Sequence, residues 1–181
     1  MALEISEDLV SLAYQSLGYF VIEGRKVGVK EIDLLAVRVG KDGEIEERLQ
    51  IEISIGVSPI GVLRGRGKLG RSAQEPEKRA EEWREKKFGD RRVVREVAEA
   101  FRGKPYDRVF VHGQLKDPSQ LAVLGQAGIK CVEIGDLIRK AVTEGKPNRL
   151  HRAVGIASLI ARQGVGISLE GAAKSGNSEA S

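Results

Sequence analysis

Alternating apolar and polar residues in the first third of the chain predict three consecutive strands. The first is the short run "YFVIEG" (19–24), the second is "VKEIDLLAVRVG" (29–40), and the third is "IEERLQIEISIGV" (45–57). The sequence "KDGE" between the last two is typical of a hairpin turn. We therefore expect a meander in which the second and third strands are antiparallel neighbours.

Apolar residues at helical spacing predict a first helix that begins after Ser6 and ends at Gly18. Beyond the strands, a charged helical region begins near Pro76 and breaks at Gly89 and Asp90. The remaining predicted elements are a strand at 106–113, a helix at 117–128, a strand at 129–134, a helix at 135–145 and an amphipathic helix at 147–163.

The resulting order, α-β-β-β-α-β-α-β-α-α, combines a meander with a later parallel strand–helix–strand crossover. It predicts an α/β fold with a mixed sheet flanked by helices. We expect one domain at residues 1–163, with its core at 5–140, followed by a flexible Gly-, Ala- and Ser-rich tail at 164–181.

Composition and charge indicate which classes of protein this sequence fits. Charged residues make up 31% of the 181 residues, aromatic residues 4%, and there is one Cys. The chain has neither the apolar run of a membrane span nor the pattern of a signal peptide, so we expect a cytoplasmic protein without membrane contact. Residues 1–60 carry a net charge of −5 and residues 61–181 a net charge of +9, which favours a polyanion-binding surface beside a carboxylate site.

Two acidic residues interrupt the apolar strands. The hairpin places Asp33 and Glu52 on neighbouring strands, where cross-strand side chains lie about 5 Å apart. Two carboxylates at that distance cannot both stay ionised without cost, and a divalent cation such as Mg²⁺ removes the conflict. The alternative is a separate salt bridge from each acid to Arg or Lys. Strand alternation places Glu31 beside Asp33 on one face, and on the other face Ile32, Leu34 and Ala36.

Four parts of the chain together resemble the PD-(D/E)xK nuclease superfamily, which includes archaeal Holliday-junction resolvases. They are Glu7, the segment "GYF" (18–20), the segment "EIDLLAV" (31–37) and the segment "IEIS" (51–54). The resemblance covers residues 5–140 and implies a restriction endonuclease-like α-β-β-β-α-β core. It implies a Mg²⁺- or Mn²⁺-dependent DNA endonuclease.

By this resemblance, Asp33 and Glu52 would ligate the metal together with the carbonyl of Ile53, and Glu7 would assist. Ser54 departs from the pattern, because the family places a lysine two residues after the glutamate to orient the attacking water and stabilise negative charge. Either another lysine replaces it or the site is degenerate, and the protein then binds nucleic acid or partners without cleavage. The candidate lysines are Lys30, Lys68 and Lys78.

A glycine-rich basic loop follows the third strand. Its cations, expected to contact the phosphates of duplex or branched DNA, are Arg64, Arg66, Lys68 and Arg71. The loop contains "GRGKLG" (65–70), which matches a dinucleotide-binding pattern, but the next strand lies too far along the chain for that fold. Solvated charge is the other interpretation of the loop. Because two DNA strands must be cut, we expect a homodimer, with the apolar surface from Val154 to Ile160 as the candidate interface.

Overall fold

The computed structural model describes residues 2–56, 60–62, 76–152 and 154. The elements in chain order are α1 (Ala2–Ser16), β1 (Tyr19–Val27), β2 (Lys30–Val39), β3 (Ile45–Ser54), α2 (Pro76–Phe88), α3 (Arg91–Ala100), β4 (Asp107–His112), α4 (Gln120–Gln126), β5 (Ile129–Glu133) and α5 (Ile134–Glu144). Residues 149–152 are also helical. The predicted order is confirmed, although β1 continues to Val27 because it pairs with β2 as far as Lys30.

The strands form one mixed sheet in the order β1-β2-β3-β4-β5. β1, β2 and β3 are antiparallel neighbours, whereas β3, β4 and β5 run parallel. The predicted meander and crossover are therefore both present, and the α/β fold with a mixed sheet flanked by helices is confirmed. β1 and β5 are the edge strands of this sheet.

Helices cover both faces of the sheet. On one face α1 and α5 pack on Leu34, Ala36 and Ile51. On the other, α3 packs on Ile32 and Leu35, while α2 and α4 contact the β4 and β5 region. The prediction that Ile32 and Leu34 lie on the same face of β2 is therefore wrong. Before Leu34, β2 is paired with β1 alone, and two-stranded ribbons twist more strongly than wider sheets.

The break between α2 and α3 fixes the directions of both helices. Phe88, at the end of α2, is buried, and the side chain of Asp90 caps α3 by accepting a hydrogen bond from the backbone N–H of Arg92. A cap of this kind satisfies a backbone donor that the first turn of a helix leaves unpaired. The packed Phe88 positions the last turn of α2, including Lys87, over the sheet.

Several predictions from sequence fall outside the described residues: the basic loop with Arg64, Arg66, Lys68 and Arg71, the tail at 164–181 and most of the last helix. Within the described part, Leu150 belongs to the core beneath α1, and Val154 packs against that core. Val154 thus contacts its own domain. Among the described helices, none combines the length and apolar character needed to span a membrane.

We expect Leu34→Ala to lower the free energy of unfolding by about 2–5 kcal/mol, because it leaves a cavity at a fully buried position in the centre of the sheet. Urea denaturation monitored by circular dichroism measures this change. Val29→Ala is the control, since Val29 is 99% exposed in the β1–β2 turn. Equal effects of the two substitutions would contradict the described core.

Candidate active site

The site begins where β2 and β3 separate. Their backbone pairing ends at Leu34 and Ile51, and the same register would next place Asp33 opposite Glu52. Here the carboxylate of Asp33 takes the place of a strand partner: its Oδ2 accepts a hydrogen bond of 2.7 Å from the backbone N–H of Ile53. This bond holds Asp33 against the segment of β3 that carries Glu52.

Glu52 lies in a buried part of β3 and is only 9% exposed. Its neighbour in the parallel β3–β4 register is Phe110, and the ring of Trp83 from α2 packs on Phe110 at a centroid distance of 4.9 Å. Lys87 lies one helical turn after Trp83. Its ammonium group donates to Oε1 of Glu52 and forms an ion pair with it.

Burial and mutual repulsion shift the ionisation of these acids. Burial raises the pKa of Glu52 to about 7, and the charge of Asp33 acts in the same direction, whereas Lys87 opposes the shift. Burial also raises the pKa of Asp33, against the opposing effects of the Ile53 hydrogen bond and Lys87. The two carboxylates therefore lie in one low-dielectric site and repel each other.

Glu7 approaches the pair from α1. Burial raises its pKa, and the next largest cause is the charge of Asp33. Glu7 in turn raises the pKa of Glu52, so all three acids interact electrostatically. The charge of Glu7 on α1 thus acts on the site of Asp33 and Glu52, which β2 and β3 bring together.

Of the three lysines proposed from sequence, the structure describes Lys30 and Lys78, and it places both away from Glu52. Lys30 Nζ lies 3.2 Å from Asp90 and 3.2 Å from the carbonyl oxygen of Lys86, which directs its ammonium group to the α2–α3 junction. Lys78 lines a surface pocket near the start of α2, and Lys68 is outside the described residues. Lys30 is therefore a structural lysine of the helix junction.

Sequence reasoning missed Lys87, although a signal was present. It follows Trp83 by four residues and Ala80 by seven, so it lies on the apolar face of α2. A lysine on the buried face of a helix needs a partner for its charge. In this fold that face covers Glu52.

Ser54 lies beside His112 in the β3–β4 register, one strand repeat beyond Glu52. His112 is buried, and its Nδ1 donates a hydrogen bond of 2.7 Å to the carbonyl of Gly113. Because a carbonyl oxygen can only accept, this contact places a proton on Nδ1. A serine and a histidine thus occupy the sheet positions next to the acids, where the resemblance expects a lysine after the glutamate.

The donors that this site could offer a hard divalent cation are carboxylate oxygens. The described residues contain no group of three or more His, Cys, Asp or Glu side chains placed to hold a metal, so the protein would offer the carboxylates of Asp33 and Glu52. Mg²⁺ is commonly held by one or two carboxylates while it keeps several waters. The repulsion between the two acids would also be relieved by a cation between them.

Comparison with known proteins identifies no family. Neither the protein-family models nor the curated proteins contain a match to this chain. Among solved structures, the chain is similar to the crystal structure of a protein of unknown function, AF1548, with 16% identity and a TM-score of 0.48 over 90% of this chain and 78% of that one. This likeness is too distant to bear on the site.

We expect Glu52→Gln to stabilise the protein at pH 8, by about 1–3 kcal/mol. The folded protein keeps the Glu52 proton to about pH 7, whereas an unshifted Glu releases it near 4.5. The folded state therefore binds more protons across this interval, and the free energy of unfolding falls as the pH rises through it. The side-chain amide of Gln stays neutral at pH 8, so the variant does not undergo this fall in the free energy of unfolding.

Urea denaturation at pH 5 and pH 8 measures the effect. Glu82→Gln on the exposed face of α2 is the matched control and should leave the pH dependence unchanged. If Glu52→Gln were less stable than the parent protein at pH 8, the ion pair with Lys87 would outweigh the cost of burying the charge.

Proposed function

We propose that the protein is a metal-dependent DNA endonuclease that hydrolyses phosphodiester bonds. The observation that carries this proposal is the pairing of partly buried Asp33 with buried Glu52 at the divergence of β2 and β3, with Lys87 in contact with Glu52. The resemblance of these segments to PD-(D/E)xK nucleases supplies the reaction and the DNA substrate.

Asp33 and Glu52 would hold Mg²⁺ or Mn²⁺ together with the Ile53 carbonyl, as the resemblance implies, with Glu7 assisting. A bound divalent cation supplies polarisation of a phosphoryl oxygen and a lower pKa for the attacking water. Lys87 would take the role of the missing motif lysine: its ammonium, beside Glu52, can orient the water by hydrogen bonding and stabilise negative charge that develops on the phosphate.

The balance of charge supports a cation site. Glu7, Asp33 and Glu52 interact with one another, and Lys87 is the cation that offsets Glu52 and Asp33. Among these four described residues, one ammonium group against three acids leaves net negative charge when all are ionised. A divalent ion would neutralise this remainder, so the ion pair alone does not complete the site.

A second function is favoured by that same ion pair. Lys87 already gives Glu52 a partner, and a partly buried Lys–Glu pair can persist without any metal. In a catalytically degenerate module the pair would be structural, and the protein would bind nucleic acid or partners without cleaving DNA. Metal affinity separates the two proposals.

In both proposals the DNA phosphates would be contacted by Arg64, Arg66, Lys68 and Arg71 of the basic loop, and the working form would be a homodimer. Such contacts are largely independent of sequence and weaken steeply with salt. Duplex and branched DNA both offer these phosphates.

We expect Mn²⁺ and Mg²⁺ to bind the parent protein and Asp33→Asn to abolish or greatly weaken that binding, because the variant loses one of two ligating carboxylates while it keeps a similar shape. Isothermal titration calorimetry measures the affinity, and Asp8→Asn, at an exposed acid of α1, is the control. Equal affinity in the parent protein and Asp33→Asn would place the metal elsewhere, and no affinity in the parent would favour the degenerate module.

We expect Lys87→Met to reduce cleavage of plasmid or junction DNA by about 10²–10³-fold, the usual effect of removing a charge-stabilising donor. Lys86→Met is the matched control, since the neighbouring side chain does not contact Glu52 in the described geometry. In the Lys87→Met background, Ser54→Lys should restore part of the activity by returning the lysine to the family position. Full activity of Lys87→Met would contradict the assigned role.

A further inference from the structure

The sheet carries an exposed apolar surface at the end opposite to Asp33 and Glu52. Phe20 is 68% exposed, Ile22 is 52% exposed and Ile45 is 40% exposed. Phe20 lies opposite Val37 in the β1–β2 register, so these side chains form a continuous surface. Contiguous apolar patches of this kind on a protein surface usually mark an interaction site.

This surface lines a groove of about 530 Å³. Its apolar lining residues, drawn from the sheet and from the end of α3, are Phe20, Ile22, Leu35, Val37, Ile45, Ala100 and Phe101. α3 covers the sheet at Ile32 and Leu35 but ends at Ala100, so the helical layer stops short of Phe20. Among the described residues, the groove is an uncovered continuation of the core packed beneath α3.

The described charged residues at the rim of the groove are all basic. Among the described residues, those that line the groove and carry charge are Arg48, Arg102 and Lys104, and none of the lining residues is acidic. Within the described part of the chain, the side chains of these three residues form no ion pair. Two basic residues of β1 and β2 do have acidic partners: Arg25 pairs with Glu96 and Arg38 with Glu47. The rim cations are thus available to a partner.

We propose that this groove, defined by its apolar floor and its rim of Arg48, Arg102 and Lys104, binds an acidic amphipathic helix of a partner protein. A helix laid beside α3 would extend the helical layer over the apolar strands, and carboxylates along its flanks would meet the cations. A symmetric contact with a second copy would bring the same basic rims together, which disfavours self-association through this surface.

The groove is separate from the proposed active site. Val37, on its floor, is four residues from Asp33 along β2, a distance of about 13 Å in an extended strand. Helix binding here therefore does not depend on metal binding or DNA cleavage. It would allow a partner to hold the protein while its acids remain accessible.

The probe is a fluorescein-labelled synthetic helix of about 18 residues, long enough to be partly helical alone, with Leu at positions i, i+3, i+4 and i+7 and Glu on the flanks. We expect saturable binding to the full chain by fluorescence anisotropy. Phe20→Ser and Lys104→Glu should each weaken binding by about tenfold, as at interface hot spots. Val29→Ser, at an exposed residue outside the groove, should bind as the parent protein does.

A peptide with Lys in place of Glu should bind at least tenfold more weakly, and Asp33→Asn should leave helix binding unchanged. Circular dichroism would verify that each variant is folded. The proposal is overturned if the acidic helix does not bind, if the Lys peptide binds equally well, or if Phe20→Ser has no effect. It is also overturned if sedimentation shows a dimer that Phe20→Ser dissociates, since a second copy would then occupy the groove.

Discussion

The hydrogen bond from the backbone N–H of Ile53 to the carboxylate of Asp33 is the constraint on which the site depends. It forms where β2 and β3 stop pairing, so it satisfies a backbone donor that the ladder leaves free. The same bond fixes an acid from one strand against Glu52 on the next. α1 and α2, packed on opposite faces of the sheet, then bring Glu7 and Lys87 to this point.

The arrangement concentrates unfavourable charge in the interior. Burial and the neighbouring Asp33 both disfavour ionised Glu52, and Lys87 offsets only part of this cost. A fold selected for stability alone would do better with an apolar or neutral residue there, as is common for functional sites that trade stability for chemistry. If the protein is a nuclease, the free energy spent on burying these carboxylates prepares a site for a cation. If it is a degenerate module, the buried carboxylates are a feature that the scaffold has retained.

Much of the fold follows from local pattern. Strand alternation and the "KDGE" turn predict the hairpin, and the hairpin alone predicts that Asp33 and Glu52 are neighbours. Lys87 was not predicted, because it lies 35 residues after Glu52 and its contact depends on how α2 packs on the sheet. The face predicted for Ile32 was wrong, and the alternation pattern does not show that β2 pairs with β1 alone before Leu34. The groove beside α3 depends on where a helix ends relative to a strand, which no local signal specifies.

The most direct measurement is an NMR titration of the Glu52 carboxyl group with and without Mg²⁺. In the metal-free protein we expect the pKa to be about 7. A ligating carboxylate must be ionised, so Mg²⁺ should lower that pKa in a concentration-dependent way, and Asp33→Asn should remove the effect of the metal. A Glu52 pKa that does not respond to Mg²⁺ or Mn²⁺, or a metal-free value near 4.5, would contradict a buried acid pair built to hold a divalent cation.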